Sequence, residues 1–303
     1  MQNIQSLMMV ITSDTYPAKR NSNTQKKLYK ENKNTNEMAV WYSGGGLDQN
    51  EKFIYDSLNR DLKLKCSDDS RQMGQKTILA FEWAIENVDF KYLIRPTPSS
   101  FVNFSYLKGL YKEKLDDKDI VYAGTVQTIE YENKPKLIFV SGSTLILNKQ
   151  CVELIIKNQN KWDHSLWDDV ALSKLMTELE IKPIDVKRFD IKGNIFKQEV
   201  DTENYQFRCR ADNHYNYPRF IEAYLLKLVY KLVNNLTISL YVRKFYSYYF
   251  EVLKLFYIRE FSWKVYLKIK YVIKKLLPKS VYNYLKSKFI KNINDFKHKR
   301  FKF

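Results

Sequence analysis

Short apolar runs closed by polar turns recur along the first two thirds of the chain. Runs of this length, bounded by Ser, Asp, Asn or Pro, are typical of buried strands. The predicted strands are "LMMVITSD", "EMAVWYS", "FKYLIRP", "DIVYAGTV" and "KLIFVSGSTLILN".

Stretches of helix-forming residues separate these strands. The predicted helices are "SRQMGQKTILAFEWAIENV", "QCVELIIKNQ" and "DDVALSKLMTELE", and "RNSNTQKKLYKENKNTN" predicts a helix followed by a loop. Strands that alternate with helices favour an α/β fold, a mostly parallel sheet sandwiched by helices. The chain has only 8 glycines and 7 prolines, which argues against an all-β protein with many tight turns.

Charge divides the chain more sharply than hydropathy does. The net charge is +17 over 303 residues. From Arg219 to Phe303 there are 20 Lys and Arg against 4 Asp and Glu, a net of +16, which leaves 31 against 30 in residues 1–218. We therefore predict an α/β domain over residues 1–215 and a basic helical extension over residues 216–303.

The extension combines lysines with apolar stripes at helical spacing. "KVYLKIKYVIKKLL" places valine, isoleucine and leucine within about 100° on a helical wheel and lysines opposite, and "FIEAYLLKLVYKLV" has a similar stripe,. No run of 18 uncharged apolar residues occurs, so the sequence predicts no spanning helix. Three interpretations remain: a peripheral anchor on an anionic membrane, which we favour, helices packed on the domain, and nucleic-acid binding, the least favoured.

The cysteines and the start of the chain bear on location. Cys66, Cys151 and Cys209 show no paired or metal-ligand spacing, which favours a reducing compartment,. The opening residues lack the charged region of a signal peptide. We therefore predict a cytoplasmic protein, peripheral on the inner face of the membrane.

Several stretches in the first part follow one another in a family-like order. They are "SDDSRQMGQKTILAFEWAIEN", "FKYLIRPTPSSFVNFSYL", "VYAG", "SGSTLILNKQCVELI" and "WDDVALSKLMTELEIKP". In this order they resemble bacterial-type members of the fringe-like β-1,3-glycosyltransferases, a family with the Rossmann-like GT-A fold. The resemblance covers roughly residues 66–185, is weaker before them and is absent after about residue 215.

Three motifs of that family can be placed on this sequence. An aspartate followed by a lysine-threonine helix start corresponds to Asp68 and Lys76-Thr77. The family's three aspartates before "FVN" fall on Thr97-Pro98-Ser99, so the acidic metal-binding motif is replaced. Its Glu-Asp-Val motif falls on Asp168, Asp169 and Val170.

The resemblance implies an inverting transfer with a carboxylate base. A base deprotonates the acceptor hydroxyl as that hydroxyl attacks the sugar, and by resemblance this base is Asp169. Asp168, Gly142 and Trp167 are predicted to bind the acceptor or support the site. Asp168 and Asp169 could equally cap the helix that follows, and a base at a helix start serves both roles.

Replacement of the acidic turn changes how the negative charge of the leaving group is expected to be stabilised. Hydroxyls are poor sole ligands for a hard divalent cation, so we predict no metal, although Mn or Mg stays possible. Either Arg95, Lys76 or Arg71 stabilises the departing diphosphate, or the leaving group carries less charge, as a nucleoside monophosphate does, or catalysis is lost. The predicted donor-binding residues are Thr97, Ser99, Ser100, Arg95, Asp68 and Lys76.

One further segment, "FRCRADNHYNY", bears on phosphate binding. The family carries a late histidine that can contact the metal, and His214 lies in about the right place. Without neighbouring carboxylates a loop histidine is the simpler interpretation. Arg208 and Arg210 are better suited to hold a phosphate or an acidic sugar, and a solvated charge run is the alternative.

Together these patterns predict a glycosyltransferase that moves a sugar from a nucleotide-sugar donor to a glycan, plausibly a lipid-linked oligosaccharide or polysaccharide intermediate. The alternative is a GT-A domain without catalysis that binds glycans or acts as a scaffold. Nucleic acid is an improbable partner.

Overall fold

A computed structural model describes residues 4–30, 36–45, 51–129, 137–211 and 218–257, without the side chains of residues 241 and 252–257. The chain divides into two compact units, Met1–Ser247 and Tyr248–Phe303. The second unit is described only as far as residue 257, within its part of the last helix.

Strands and helices alternate through the first unit. The strands are β1 (Ile4–Ile11), β2 (Glu37–Gly44), β3 (Phe53–Asp56), β4 (Asp61–Leu64), β5 (Phe90–Pro96), β6 (Ser100–Val102), β7 (Tyr122–Gly124), β8 (Val126–Ile129), β9 (Leu137–Val140), β10 (Thr144–Asn148), β11 (Ile184–Asp185), β12 (Phe189–Asp190) and β13 (Gln206–Arg208). The helices are α1 (Ala18–Lys30), α2 (Met73–Asn87), α3 (Phe104–Leu110), α4 (Lys149–Lys157), α5 (Asp168–Glu178), α6 (Glu222–Val233) and α7 (Leu240–Tyr257).

Eight strands form the central sheet in the order β11-β7-β10-β5-β1-β2-β4-β3. β1 pairs in parallel with both β2 and β5, and β2 pairs in parallel with β4. β10 is inserted antiparallel between β5 and β7. The predicted α/β fold with a mostly parallel sheet is confirmed, and β10 is its principal antiparallel strand.

Helices cover both faces of this sheet. On one face the main core joins Leu7 and Tyr42 from the sheet to Phe81 of α2 and Leu172 of α5. On the other face the Trp41 indole N–H donates to Gln25 Oε1 of α1 over 3.0 Å. Because neighbouring residues of a strand point to opposite faces, Trp41 and Tyr42 of β2 contact different helical layers.

Helix α6 packs against α1 and belongs to the first unit. Glu222, which is fully buried, accepts a hydrogen bond of 2.6 Å from Asn21 Nδ2 of α1 and one of 3.1 Å from the backbone N–H of Ala211. The charge boundary predicted after residue 215 therefore differs from the contact boundary after Ser247. The basic stretch begins before the compact unit ends.

Among the described helices, none combines the length and the apolar character needed to cross a membrane. The lysine-rich segment over residues 264–277, for which an amphipathic helix is predicted, lies outside the described residues, and so do His214 and His298.

Candidate active site

The site lies where several strands end at one edge of the sheet. β1, β2 and β5 are parallel neighbours, so their carboxyl ends meet there, the usual place for a ligand in an open α/β sheet,. The start of α5 reaches the same edge, because Asp169 contacts Gly142 in the turn before β10, and β10 pairs with β5 through Thr144 and Pro96.

Asp169 is held by two backbone donors. The N–H of Gly142 donates to its Oδ2 over 3.0 Å, and the N–H of Val170 donates to its Oδ1 over 3.0 Å. Burial raises the pKa of the Asp169 carboxyl, and the neighbouring charge of Asp168 raises it further, against opposing effects that include Arg95. A half-buried carboxylate with fixed oxygens and a raised pKa has the properties of a general base.

Arg95 connects the elements around Asp169. Its guanidinium is 3% exposed, donates from Nε to the Tyr42 hydroxyl over 2.9 Å, and donates from Nη1 to the Gly142 carbonyl over 2.6 Å. Its Nη2 forms an ion pair with Asp168. All three partners are residues of the protein itself. Through them Arg95, in β5, connects the end of β2 to the Gly142 turn and to α5.

Gly142 fits between the side chains of Arg95 and Asp169 because it has no Cβ. A Cβ at this position would lie 3.0 Å from Arg95 Nη1 and 3.2 Å from the Asp169 Cβ. Its peptide N–H and its carbonyl both take part in the site. The backbone at this glycine therefore closely approaches Arg95 and Asp169.

Asp68 and Lys76 form a second link at the same edge. Lys76, 2% exposed, places Nζ 3.1 Å from Asp68 Oδ1. Asp68 also accepts from the Gly44 N–H over 3.1 Å and from the Asp14 N–H over 3.0 Å. The pair thereby fixes the loops after β1 and β2 against α2, and its predicted contact with a donor stays a prediction.

The turn that replaces the acidic motif is closed by its own hydrogen bonds. The Thr97 hydroxyl lies 3.3 Å from that of Ser99 and 3.2 Å from that of Ser100, and both serines are buried. Gln25 Nε2 donates to the carbonyls of Thr97 and Ser100 over 3.2 and 2.6 Å. Thr97 and Pro98 are the partly exposed residues of this turn.

These residues do not fit a divalent cation. The hydroxyls of the turn are already hydrogen-bonded to one another, those of Ser99 and Ser100 are also buried, and Asp168 is engaged by Arg95. Among the described residues, no group of three or more His, Cys, Asp or Glu side chains could hold a metal ion. Hard divalent cations prefer carboxylate oxygens, and this turn offers none.

Trp167 is an exposed aromatic residue two positions before Asp169. It precedes α5 directly and 62% of its surface is exposed. A flat ring in this position could stack on a sugar. Arg208 ends β13 and Arg210 follows it, both partly buried, and their predicted contact with phosphate stays a prediction.

The hydrogen bond between Tyr42 and Arg95 was not predicted from the sequence. Tyr42 lies in an apolar strand, where its hydroxyl gives no signal, and its partner Arg95 is 53 positions away. The ion pair of Arg95 with Asp168 spans 73 positions and was equally invisible, although both residues were candidates.

Comparison with known proteins gives matches in structure. No protein-family model and no curated protein matches the sequence. A glycosyltransferase involved in the glycosylation of the major capsid of PBCV-1 superposes with a TM-score of 0.44 at 10% identity, covering 73% of this chain and 99% of that one. The galactosyltransferase LgtC, in complex with donor and acceptor sugar analogs, gives 0.40 at 11% identity, covering 79% and 99%.

The glycosyltransferase GlyE from Streptococcus pneumoniae TIGR4 gives a TM-score of 0.42 at 10% identity, covering 77% of this chain and 62% of that one. At these scores and identities the likeness is one of general architecture.

Proposed function

We propose that this chain is an inverting glycosyltransferase of the GT-A type that moves a sugar from a nucleotide-sugar donor to a glycan acceptor. The observation that carries the proposal is the state of Asp169, a half-buried carboxylate whose two oxygens are fixed by backbone N–H groups and whose pKa is raised. The family-like order of motifs over residues 66–185 puts the catalytic base at the same residue.

The proposed reaction forms one bond, breaks another and moves one proton. The acceptor hydroxyl attacks the anomeric carbon, the bond from that carbon to the nucleotide phosphate breaks, and the hydroxyl proton passes to Asp169. Each Asp169 oxygen accepts one backbone hydrogen bond and keeps a further lone pair for the acceptor,. Arg95 is a positioning residue, because it holds the Gly142 carbonyl and Asp168 on either side of the base.

The leaving group receives little uncompensated positive charge from the predicted cations. Arg95 pairs with Asp168, Lys76 with Asp68 over 3.1 Å, and Arg71 with Asp69 over 3.4 Å. A paired cation stabilises a departing anion less than a free one does. The three pairs favour a donor whose leaving group has low charge, such as a nucleoside monophosphate. The neutral Thr97–Ser100 turn, which offers no carboxylate, favours a reaction without a metal,.

Calorimetric titration of a panel of nucleotide sugars tests the proposal. The panel includes nucleoside diphosphate and nucleoside monophosphate sugars, each measured with manganese and then with a chelator. We expect one donor to bind equally well in both conditions. Binding only with manganese would contradict the metal-free site, and failure of every donor would favour a glycan-binding or scaffolding protein instead.

A peripheral membrane location goes with this function. An amphipathic helix is predicted for residues 264–277, which contain five lysines, and each lysine near an anionic surface contributes about 1 kcal/mol,. Deletion of residues 258–303 leaves the buried contacts of Glu222 in α6 intact. We expect the full chain to sediment with vesicles rich in phosphatidylserine and the shortened chain to stay in the supernatant. Equal sedimentation of both would remove the anchor from the proposal.

A further inference from the structure

A basic cleft of about 480 Å³ lies between α1 and α6. Lys19, Arg20 and Lys27 of α1 line it together with Lys227 of α6, and Asp14 lies at the end that follows β1. Four cations and one carboxylate therefore share one cleft. It is separate from the Asp169 carboxylate and opens beside the same edge of the sheet.

The single carboxylate does not neutralise the cleft. Asp14 already accepts a hydrogen bond of 2.6 Å from Lys63 Nζ, outside the cleft lining, and lies 3.4 Å from Lys19 Nζ. Within the described ranges neither Lys27 nor Lys227 has an acidic partner. The charge that faces the cleft is consequently positive.

The position of two of these cations is itself unfavourable. Lys19 and Arg20 lie in the first turn of α1, a turn that contains no acidic residue. The N-terminal end of a helix carries partial positive charge and is stabilised by anions. Cations here raise the electrostatic free energy of the empty cleft, and a bound anion would lower it.

The walls of the cleft are held in place by buried polar contacts. Glu222 joins α6 to α1 through Asn21, and it is also paired with Arg219 over 2.8 Å. Arg20 lies 5.3 Å from the ring centroid of Tyr224, so a cation of α1 is fixed against α6. These contacts hold the cations of α1 and α6 on the walls of one groove.

We propose that this cleft binds a phosphate or diphosphate group carried by the acceptor. The inference rests on the proposed function and names the class of acceptor, a glycan attached through phosphate. The cleft adjoins the active-site edge, since the backbone N–H of Asp14 donates to Asp68 Oδ2, and Asp68 pairs with Lys76. None of the residues predicted to bind the donor lines the cleft, so a phosphate held there is assigned to the acceptor.

A pair of charge-reversed proteins tests the cleft. Lys27→Glu/Lys227→Glu changes the lining, and Lys30→Glu/Lys231→Glu makes the same change in net charge at exposed positions of the same two helices. The probes are inorganic pyrophosphate and a prenyl diphosphate in detergent micelles, titrated into the full-length proteins. We expect the first variant to lose about tenfold or more in affinity for both probes and the second to stay within about twofold of the parent.

The outcomes separate this inference from the proposed function. Equal losses of probe affinity in both variants would mean a general charge effect and would overturn the assignment of the cleft as a phosphate site. If the first variant lost nucleotide-sugar affinity to the same extent as pyrophosphate affinity, the cleft would belong to the donor, which also overturns the assignment. Tighter binding of the prenyl diphosphate than of pyrophosphate would identify a lipid-linked acceptor, and similar binding of the two an acceptor recognised through phosphate alone. If no donor binds the parent protein but pyrophosphate does, the proposed transfer fails and the anion site stands.

Discussion

Gly142 and Asp169 are joined through one peptide group that also reaches Arg95. The Gly142 N–H donates to Asp169 Oδ2 over 3.0 Å, while the carbonyl of the same residue accepts from Arg95 Nη1 over 2.6 Å. The direction of the base is therefore set by a backbone turn that a buried guanidinium holds. A change at Arg95 or Gly142 should be felt at Asp169 even though neither side chain has to contact a substrate.

Asp169→Asn should abolish transfer. An asparagine oxygen can still accept one of the backbone hydrogen bonds, but it cannot accept the acceptor proton, so we expect a loss of about 10²- to 10⁴-fold in kcat. Donor affinity measured by calorimetry should change little. Asp117→Asn, at an exposed aspartate, is the control and should keep the parent rate. Near-normal turnover of the Asp169 variant would show that the base lies elsewhere.

The rate should fall on the acid side at a pH above the ordinary carboxyl range. Only the ionised base accepts a proton, and burial with the neighbouring Asp168 raises the pKa of Asp169 above 3.8. Asp168→Asn removes one source of that rise and leaves Arg95 without its counter-charge, so both effects lower the Asp169 pKa. The acid limb of the pH–rate profile should then move to lower pH. An unchanged limb would mean that another group titrates.

The same raised pKa affects stability with a defined sign. In the folded state Asp169 holds its proton to higher pH than in the unfolded state, so its contribution to stability is lost as pH rises through that interval,. Asp169→Asn removes this pH dependence, so the thermal midpoint of the variant relative to that of the parent should be higher at neutral pH than in acid, where the parent carboxyl is protonated in both states,. A difference in thermal midpoint that does not change with pH would contradict this assignment.

Arg95→Met should destabilise the protein strongly. It leaves the buried Asp168 without its counter-charge, which costs about 3–5 kcal/mol in the free energy of unfolding,. Arg95→Met/Asp168→Met removes both charges and should recover most of that loss in urea unfolding. Its kcat should stay low, because the contacts to Tyr42 and Gly142 are still missing. Recovery of both quantities would limit Arg95 to a structural role.

Gly142→Ala should slow catalysis more than it destabilises the fold. The added Cβ meets Arg95 Nη1 and Asp169 within about 3 Å, so the base has to shift, and we expect a loss of about tenfold to a hundredfold in kcat,. Overpacking of this kind costs about 1–3 kcal/mol of stability. Gly109→Ala, where a Cβ meets open space in α3, is the matched control and should leave the rate unchanged. Equal rates for the two variants would separate Gly142 from catalysis.

Trp167→Ala should raise the KM for the acceptor without affecting stability. The ring is mostly exposed, so little packing is lost, whereas stacking on a sugar is expected to contribute about 0.5–1.5 kcal/mol, or about three- to tenfold in KM,. Trp167→Phe keeps an aromatic face and should restore most of the affinity. If the alanine variant kept the parent KM, Trp167 would have no part in acceptor binding.

The central strands and the main helices could be predicted because their signals are local. The apolar runs of β1, β2 and β5 and the helix formers of α2 and α5 act within a few residues. The short strands β6 and β13 were missed, since each has three residues and is defined by pairing with distant strands, β6 with β13 and β13 also with β12. The boundary after residue 215 followed the charges, and charge does not report the buried link from Glu222 to Asn21.

The sequence predicted which residues belong to the site but not which of them contact one another. Asp169, Asp168, Arg95 and Gly142 were all candidates, but periodicity says nothing about which of them touch. Arg95 was expected to face a phosphate, and the structure shows its guanidinium engaged with Tyr42, Gly142 and Asp168. Contacts between residues dozens of positions apart depend on how the strands pair, and single-sequence patterns do not encode that pairing directly.

The closed turn at Thr97–Ser100 has no acidic side chain, and two of its four residues, Ser99 and Ser100, are buried. A carboxylate placed at Ser99 or Ser100 would be desolvated beside the carbonyls that Gln25 now holds, a cost of several kcal/mol unless a cation arrives with it,. A single acidic substitution at either buried serine would thus destabilise the protein. A carboxylate at these two positions is compatible with the fold only if a compensating cation is introduced with it.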